Sequence, residues 1–141
     1  MKQVDTVIGC DGVVIIPTYN ERENVENIIR AVFALEKIFH ILIIDDGSPD
    51  GTAEIVKRLK DEFPERLHLL ERKGKQGLGT AYITGFKWAV LRGYDYIFEM
   101  DADFSHNPND LLKLWSACAV KGADMAIGSR YITGVNVVNW P

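Results

Sequence analysis

Residues 94–106 of this 141-residue chain read YDYIFEMDADFSH, an apolar run that leads directly into two aspartates. We expect a strand over residues 94–100, followed by Asp101 and Asp103 at positions i and i+2. Side chains two residues apart on extended backbone point the same way, so both carboxylates would aim at one point beyond the strand. Such a pair favours a hard divalent cation, Mg²⁺ or Mn²⁺. The alternative is a solvated strand-to-loop turn, because the D-x-D tripeptide often occurs by chance.

The composition is typical of one soluble globular domain, with 47% hydrophobic and 26% charged residues. The net charge of −4 provides no basic field that would recruit nucleic acid. Cys10 and Cys118 stand too far apart for a disulfide framework or a metal knuckle, which indicates a reducing compartment. We expect no signal peptide and no membrane span, since no apolar run approaches roughly 20 residues.

Apolar runs and helical repeats alternate along the chain. Buried strands are predicted at residues 12–17, 40–44, 67–70, 94–100 and 124–127. Helices are predicted between them, the first capped by Asn20 and the fourth opened by Asn107 and Pro108. This alternation predicts the α/β class, a Rossmann-like, mostly parallel sheet with helices on both faces. Residues 1–11 are expected to be a loose lead-in to a single domain over residues 12–141.

The unusual polar segments all follow predicted strands. They are residues 18–21 (TYNE), 45–48 (DDGS), 72–79 (RKGKQGLG), 101–103 (DAD) and 129–130 (SR). Open α/β sheets bind ligands at the carboxyl ends of their strands, so these segments are expected to form one site. This convergence is the main reason, from the residues alone, to assign Asp101 and Asp103 to a ligand site.

Several of these side chains have two possible roles. Asp46 could accept hydrogen bonds from a nucleobase, or it could cap the turn at residues 47–51. Asp45, whose side chain alternates away, is expected to be structural. Tyr19 could stack on a base or ribose or simply border the site. Glu21 could bind a ribose hydroxyl or only favour the first turn of a helix.

The basic loop at residues 72–79 is glycine-rich and precedes a helix, which favours a bound phosphate. It lacks the spacing of a P-loop, and no G-x-G-x-x-G pattern follows the first strand, so a nicotinamide or flavin dinucleotide is disfavoured. Arg130 could neutralise a phosphate or lie on the surface. His106 could be a third metal ligand or a substrate contact, or have neither role. Trp88 and Trp115 occupy core positions of helical patterns.

Five motifs, taken in order, resemble inverting family 2 glycosyltransferases of the GT-A fold, and most closely the dolichol- and polyprenol-phosphate mannosyltransferases. The motifs are residues 14–21 (VIIPTYNE), 43–52 (IIDDGSPDGT), 77–82 (GLGTAY), 100–106 (MDADFSH) and 128–131 (GSRY). Many sugar transferases share the first two motifs, whereas GLGTAY and DADFSH are more specific to the polyprenol-phosphate group. The resemblance extends from about residue 12 to the end of the chain.

The resemblance implies a role for each matching residue. The nucleotide-sugar pocket would comprise Pro17, Tyr19, Glu21, Ile44, Asp46, Asp101, Ala102, Asp103 and Arg130. Asp101 and Asp103 would bind Mg²⁺ or Mn²⁺, which in turn holds the donor diphosphate. Arg130 would face the phosphates or the acceptor and completes the expected catalytic set.

The implied reaction moves mannose from GDP-mannose to a polyprenyl or dolichyl phosphate with inversion. A phosphate nucleophile is already ionised at neutral pH, so a general base is not needed, and none can be assigned from the sequence. Three alternatives remain: a family 2 transferase with a UDP-sugar and a hydroxyl acceptor, a nucleotide-binding module without activity, and a phosphoryl-accepting signalling domain. The last would need a lysine after the fifth strand, where Arg130 stands.

Residues 137–141 stop after an apolar segment, which predicts a chain cut short. In the family that the motifs resemble, further basic phosphate contacts and a membrane-associated segment follow this part. We therefore expect weak or absent turnover by residues 1–141 alone. The full-length protein would be cytoplasmic, at the cytoplasmic face of a membrane.

Overall fold

The computed structural model describes residues 11–105, 107–119, 125–127 and 136–139, with side chains for residues 11–105 and 107–118. The elements within these residues are β1 (Gly12–Thr18), α1 (Val25–Phe33), β2 (His40–Asp45), α2 (Thr52–Glu62), β3 (Leu67–Glu71), α3 (Leu78–Leu91), β4 (Tyr96–Glu99), α4 (Asp110–Ala119), β5 (Met125–Ile127) and β6 (Asn136–Asn139). The five predicted strands and four predicted helices are present, with ends that differ by a few residues from those expected. No helix in the described residues is long and apolar enough to cross a membrane.

A sheet in the order β3-β2-β1-β4-β6-β5 forms the middle of the described fold. β1 pairs in parallel with β2 and β4, and β2 pairs in parallel with β3; Val14 stands opposite Ile41 on one side and Phe98 on the other. β6 runs antiparallel to both β4 and β5. The mostly parallel sheet is confirmed. The sequence pattern does not predict β6, because its four residues, NVVN, are too few to show a period.

Alternation along the strands divides the core into two layers. On one face, Ile16, Ile43 and Phe98 pack with α1, α2 and α4. On the other face, Ile15 and Ile44 pack with α3. All five side chains are 0% exposed, as expected for continuous apolar strands that are covered on both sides. The prediction of helices on both faces is therefore confirmed.

α3 lies close to the sheet at Gly85. A Cβ atom on this residue would stand 2.7 Å from Cγ2 of Ile15 and 2.9 Å from Cδ1 of Ile44, too close for carbon atoms. Glycine thus allows the helix to settle directly on β1 and β2. This close contact between helix and sheet fixes where the first two turns of α3 meet the carboxyl ends of the strands.

The start of α1 differs from the prediction. The helix begins at Val25 and Asn24 precedes it, so the expected N-cap at Asn20 is wrong. Asn20 instead has left-handed backbone, with a φ of 56°. Its backbone N–H is held by the neighbouring loop, as described below, and this delays the helix. Glu21 accordingly lies before the helix and not in its first turn.

Asp11 already belongs to the fold, although it is the last residue of the expected lead-in. Its carbonyl oxygen accepts hydrogen bonds from the N–H groups of Asp95 and Tyr96, both at 3.0 Å. Trp115 donates from Nε1 to Oδ2 of Asp11 at 3.2 Å. Residues 1–10, which include Cys10, lie outside the described residues. Cys118 is buried in the core layer under the sheet.

Candidate functional site

An open cleft of about 250 Å³ lies at the carboxyl ends of β1, β2 and β4. It is lined by the ends of these strands and by the start of α3: Pro17, Thr18, Tyr19, Glu21, Asp46, Lys75, Gly77, Leu78, Ala81, Asp101, Ala102 and Asp103. The chain runs from β1 to β2 and β3 on one side and then places β4 on the other side of β1, and open α/β sheets bind ligands where the strand order reverses in this way.

The cleft brings together seven of the nine residues that the resemblance implies for nucleotide-sugar binding. Ile44 is not among them. Its side chain is 0% exposed and packs with α3, because β2 is covered on both faces, so the structure gives it a place in the core and no side-chain contact with the cleft. Arg130 and His106 lie outside the described residues, and their roles stay predictions.

Tyr19 and Glu21 reach the cleft because the loop after β2 holds the loop after β1. Three consecutive backbone N–H groups of the first loop donate to side chains of the second: Asn20 to Ser48 Oγ (2.8 Å), Glu21 to Thr52 Oγ1 (3.1 Å) and Arg22 to Asp50 Oδ2 (3.1 Å). The serine, threonine and aspartate of the second loop are therefore a scaffold for the first. Local turn patterns do not reveal this, because the partners are 28 or more residues apart.

Asp45 closes the turn after β2, which confirms its structural role. Its Oδ1 accepts hydrogen bonds from Thr18 Oγ1 (2.8 Å) and Ser48 Oγ (2.7 Å), and its Oδ2 accepts the N–H of Ser48 (3.0 Å). Gly47 follows with a φ of 69°, and a Cβ atom there would lie 2.9 Å from the backbone nitrogen of Gly74. The loops after β2 and β3 thus touch at a position that requires glycine.

Asp46 forms an ion pair that the sequence pattern does not predict. Arg72 donates from Nε to Oδ1 (2.7 Å) and from Nη2 to Oδ2 (2.9 Å), the two-pronged geometry of a strong guanidinium–carboxylate pair. The N–H of Gln76 also donates to Oδ2 (3.2 Å). The two paired side chains are only 8% and 9% exposed. Because Asp45 caps the turn, the turn-cap role suggested for Asp46 is wrong.

The same arginine holds the basic loop, residues 72–79, against the sheet. Arg72 donates from Nη1 to Thr80 Oγ1 (3.1 Å) and from Nη2 to the carbonyl oxygen of Gly77 (3.2 Å). Lys75 projects into the cleft, with Nζ 5.1 Å from the centre of the Tyr19 ring. In the described lining, Lys75 is the one cationic side chain. Its signal in the sequence is the basic, glycine-rich composition of this loop.

Asp101 and Asp103 line the same cleft, as expected, but a turn brings them together and not an extended strand. β4 ends at Glu99, before the first aspartate. Asp101 is half-buried, Ala102 is buried and Asp103 is exposed. The N–H of Ser105 donates to Asp103 Oδ1 at 3.0 Å. The assumption of extended geometry is wrong in detail, whereas the convergence of both residues on one cleft is confirmed.

A residue that the sequence reasoning missed holds Asp101. Tyr82, on the second turn of α3, donates from its hydroxyl to Asp101 Oδ1 at 3.0 Å. Burial raises the pKa of Tyr82 above its ordinary value, and the negative charge of Asp101 raises it further. The phenol therefore stays protonated and remains a donor at neutral pH. In the sequence, Tyr82 ends the GLGTAY motif at residues 77–82, and that pattern does not identify Asp101 as its partner.

Negative charge accumulates in the cleft. Burial raises the pKa of Glu21, the hydrogen bond from Asn24 lowers it, and the carboxylates of Asp103 and Asp101 raise it again. In the part of the chain that the structure describes, no group of three or more His, Cys, Asp or Glu side chains is arranged to hold a metal ion. The two aspartates could therefore supply part of a cation's ligands and leave the other positions to oxygen atoms of a bound anion.

Comparisons with known proteins identify relatives of this chain. The model of the family described as Glycosyl transferase family 2 matches residues 13–141. The polyprenol monophosphomannose synthase of Mycolicibacterium smegmatis is 52% identical over 128 residues, which cover 91% of this chain and 48% of that protein. The undecaprenyl-phosphate mannosyltransferase of Micrococcus luteus is 46% identical, over 90% of this chain and 51% of that protein. The chain spans about half the length of these two relatives.

Solved structures share the fold. The mannosyltransferase PcManGT from Pyrobaculum calidifontis, in complex with GDP-Man and Mn²⁺, matches 92% of this chain and 44% of its own with a TM-score of 0.76. S. aureus TarS 1-349 in complex with UDP-GlcNAc matches 87% of this chain and 37% of its own with a TM-score of 0.68. The identities are 18% and 19%, so the likeness shows the fold alone. The expected GT-A fold is confirmed.

Proposed function

Because this chain belongs to glycosyl transferase family 2, we propose that it binds the sugar donor of an enzyme that moves mannose from GDP-mannose to a polyprenyl phosphate. The observation that carries the proposal is the convergence of Asp101, Asp103, Asp46 and Tyr19 on one cleft at the carboxyl edge of the sheet. The names of relatives that are 43–52% identical, a polyprenol monophosphomannose synthase, an undecaprenyl-phosphate mannosyltransferase and a dolichol-phosphate mannosyltransferase, support the choice of sugar and acceptor.

Mg²⁺ or Mn²⁺ fits the residues present at the cleft. Asp101 and Asp103 offer hard carboxylate oxygens, and such ions are commonly bound by one or two carboxylates together with substrate phosphates. When bound, the ion would stabilise the negative charge that develops on the departing diphosphate. The Mn²⁺ in the complex of PcManGT supports the choice of a divalent cation.

Asp46 and Tyr19 form the proposed nucleoside end of the cleft. A carboxylate offers about four acceptor positions, and Arg72 and Gln76 occupy three of those on Asp46. The ion pair thus orients Asp46 and leaves room for about one N–H donor of a base. Tyr19 is 38% exposed and offers an aromatic ring at the rim. Lys75 adds positive charge where the anionic donor would enter.

In the proposed reaction, an oxygen of the acceptor phosphate attacks the anomeric carbon of mannose. The new carbon–oxygen bond forms with inversion as the bond from that carbon to the diphosphate oxygen breaks, and GDP leaves with the electron pair. The acceptor phosphate is already ionised at neutral pH, so no side chain has to remove a proton. The residues of this chain bind and orient the donor. A lipid acceptor also places the whole protein at a membrane, and we propose the cytoplasmic face.

A transfer assay with the full-length protein that contains this chain tests the proposal. With Mn²⁺ or Mg²⁺ present, labelled mannose from GDP-mannose should appear on polyprenyl phosphate, and Asp103→Asn should reduce the rate by on the order of 100-fold. Asp61→Asn is the matched control, because Asp61 is an exposed aspartate near the end of α2 that does not line the cleft, and it should leave the rate unchanged. Faster transfer from a UDP-sugar than from GDP-mannose would contradict the proposal. Transfer to a hydroxyl acceptor but not to polyprenyl phosphate would contradict it as well.

A further inference from the structure

We propose that Tyr82 is a positioning residue of the metal site. By donating to Oδ1 of Asp101, it leaves Oδ2 as the oxygen that binds the ion, and it thereby favours Mn²⁺ and Mg²⁺ over Ca²⁺. This inference rests on the proposed role of Asp101 as a metal ligand.

The position of the Tyr82 hydroxyl is well determined by packing. Its ring is half-buried and packs against the core layer of α3, next to the buried Ala81. Gly85, three residues further along, seats the helix directly on Ile15 and Ile44. The hydroxyl is therefore held by the helix and the sheet, independently of the loop that carries Asp101. A donor that is fixed in this way can select one orientation of a carboxylate.

The hydrogen bond restricts how Asp101 can bind a cation. Among the described residues, Tyr82 provides the one hydrogen bond that the Asp101 side chain accepts, and it uses Oδ1. The carboxylate is half-buried and lies directly before the turn at residues 102–103. The hydrogen bond occupies one of the two acceptor positions on Oδ1, so binding of the ion through Oδ2 alone is preferred to binding through both oxygens.

Single-oxygen binding distinguishes between divalent ions. Mg²⁺ and ions of similar size require a nearly regular octahedron, to which each carboxylate contributes one oxygen. Ca²⁺ accepts six to eight oxygens in a flexible arrangement and often takes both oxygens of one carboxylate. A carboxylate that presents one oxygen therefore suits the smaller ions. Removal of the Tyr82 hydroxyl should weaken Mn²⁺ binding and should affect Ca²⁺ binding less.

The test is a titration of Mn²⁺ in the presence of GDP, in which electron paramagnetic resonance measures the free ion. The titration is repeated with Ca²⁺ as competitor. Tyr82→Phe keeps the buried ring and removes only the donor. We expect its Mn²⁺ affinity to fall by on the order of tenfold, and the preference for Mn²⁺ over Ca²⁺ to fall with it. Tyr96→Phe is the matched control, since it removes the hydroxyl of another half-buried tyrosine that does not line the cleft. It should change neither affinity.

Two outcomes separate failure of this inference from failure of the proposed function. If Asp101→Asn binds Mn²⁺ as tightly as the wild type, the metal site itself is wrong. If Asp101→Asn loses Mn²⁺ binding but Tyr82→Phe keeps the affinity and the preference, or loses both ions equally, Tyr82 has no positioning role. Circular dichroism checks the fold of each variant. Tyr82→Met, which also fills the space without a donor, must shift the preference in the same direction as Tyr82→Phe.

Discussion

The two ends of the parallel strands use polar side chains in opposite ways. At the carboxyl ends, Glu21, Asp101 and Asp103 line an open cleft. At the amino ends, His40 and Tyr94 are 5% and 1% exposed, and Nδ1 of the histidine lies 2.6 Å from the tyrosine hydroxyl. The carboxylates of the first group face the open cleft, whereas the histidine nitrogen and the tyrosine hydroxyl of the second group lie against each other in the core.

The histidines of the amino-end cluster carry no charge at pH 7. His68 lies between His40 and Trp88, at ring distances of 5.9 and 5.1 Å, and Trp88 stacks on Tyr94 at 6.1 Å. Burial lowers the pKa of His40 and of His68 to about 4, so both rings are neutral at pH 7. One sheet thus has a charged end that can bind a ligand and an end whose titratable groups serve packing. Changes at the amino end should affect stability alone, and most changes at the carboxyl end should affect ligand binding.

The largest expected effect is a loss of stability at the carboxyl end of the strands, because one buried ion pair there also supports the fold. Arg72→Met leaves the carboxylate of Asp46 buried without its partner, and we expect the free energy of unfolding to fall by about 3–5 kcal/mol. Urea denaturation measures the change. The control is Arg58→Met, whose ion pair with Glu26 is exposed and should contribute less than about 1 kcal/mol. Equal losses of unfolding free energy in the two variants would show that the buried Arg72 pair stabilises the fold no more than the exposed Arg58 pair.

The next effect is a pH dependence of stability that arises from His40 at the amino end. The folded pKa of His40 is about 4 and the unfolded value is 6.5, so between these values only the unfolded state binds a proton and stability falls as the pH falls. From pH 6.5 to pH 5 we expect a loss of about 2 kcal/mol from this residue. Urea denaturation at both pH values should show a smaller loss for His40→Gln. The same pH dependence in the wild type and in His40→Gln would disprove the assignment of this loss of stability to His40.

The smallest effect concerns a single hydrogen bond at the amino end. Trp115→Phe removes the bond from Nε1 to Asp11 but keeps an aromatic ring near Lys37, whose Nζ lies 4.3 Å from the ring centre. We expect a loss of about 1 kcal/mol of stability and unchanged GDP binding. Trp88→Phe is the comparison, since it makes the same chemical change at the other side of the sheet. Weaker GDP binding by Trp115→Phe would contradict the separation of the two ends.

Local sequence patterns predict much of this molecule. Continuous apolar runs locate β1 and β2, and polar residues after the strands locate the cleft. The resemblance to a family implies a place for Ile44 in the nucleotide-sugar pocket, yet β2 is covered on both faces and this side chain is fully buried. A motif alone does not reveal which neighbours of a site face the core.

Contacts between distant segments were not predictable. Arg72 reaches Asp46 across 26 residues, and Tyr82 reaches Asp101 across 19. Both pairs depend on how two loops and a helix meet in space, and no single-sequence period encodes that. The start of α1 is another case, because the loop after β2 holds Asn20 and overrides its preference for an N-cap.

Calorimetric titration of GDP with and without Mn²⁺ tests most directly whether the aspartates of the cleft hold a metal-bound nucleotide. Wild-type protein should bind GDP at least about tenfold more tightly with Mn²⁺, a difference of about 1.4 kcal/mol. Asp101→Asn and Asp103→Asn should lose this enhancement, and Asp61→Asn should keep it. GDP binding that is indifferent to Mn²⁺ in the wild type, or an enhancement that survives in both cleft variants, would contradict the assignment.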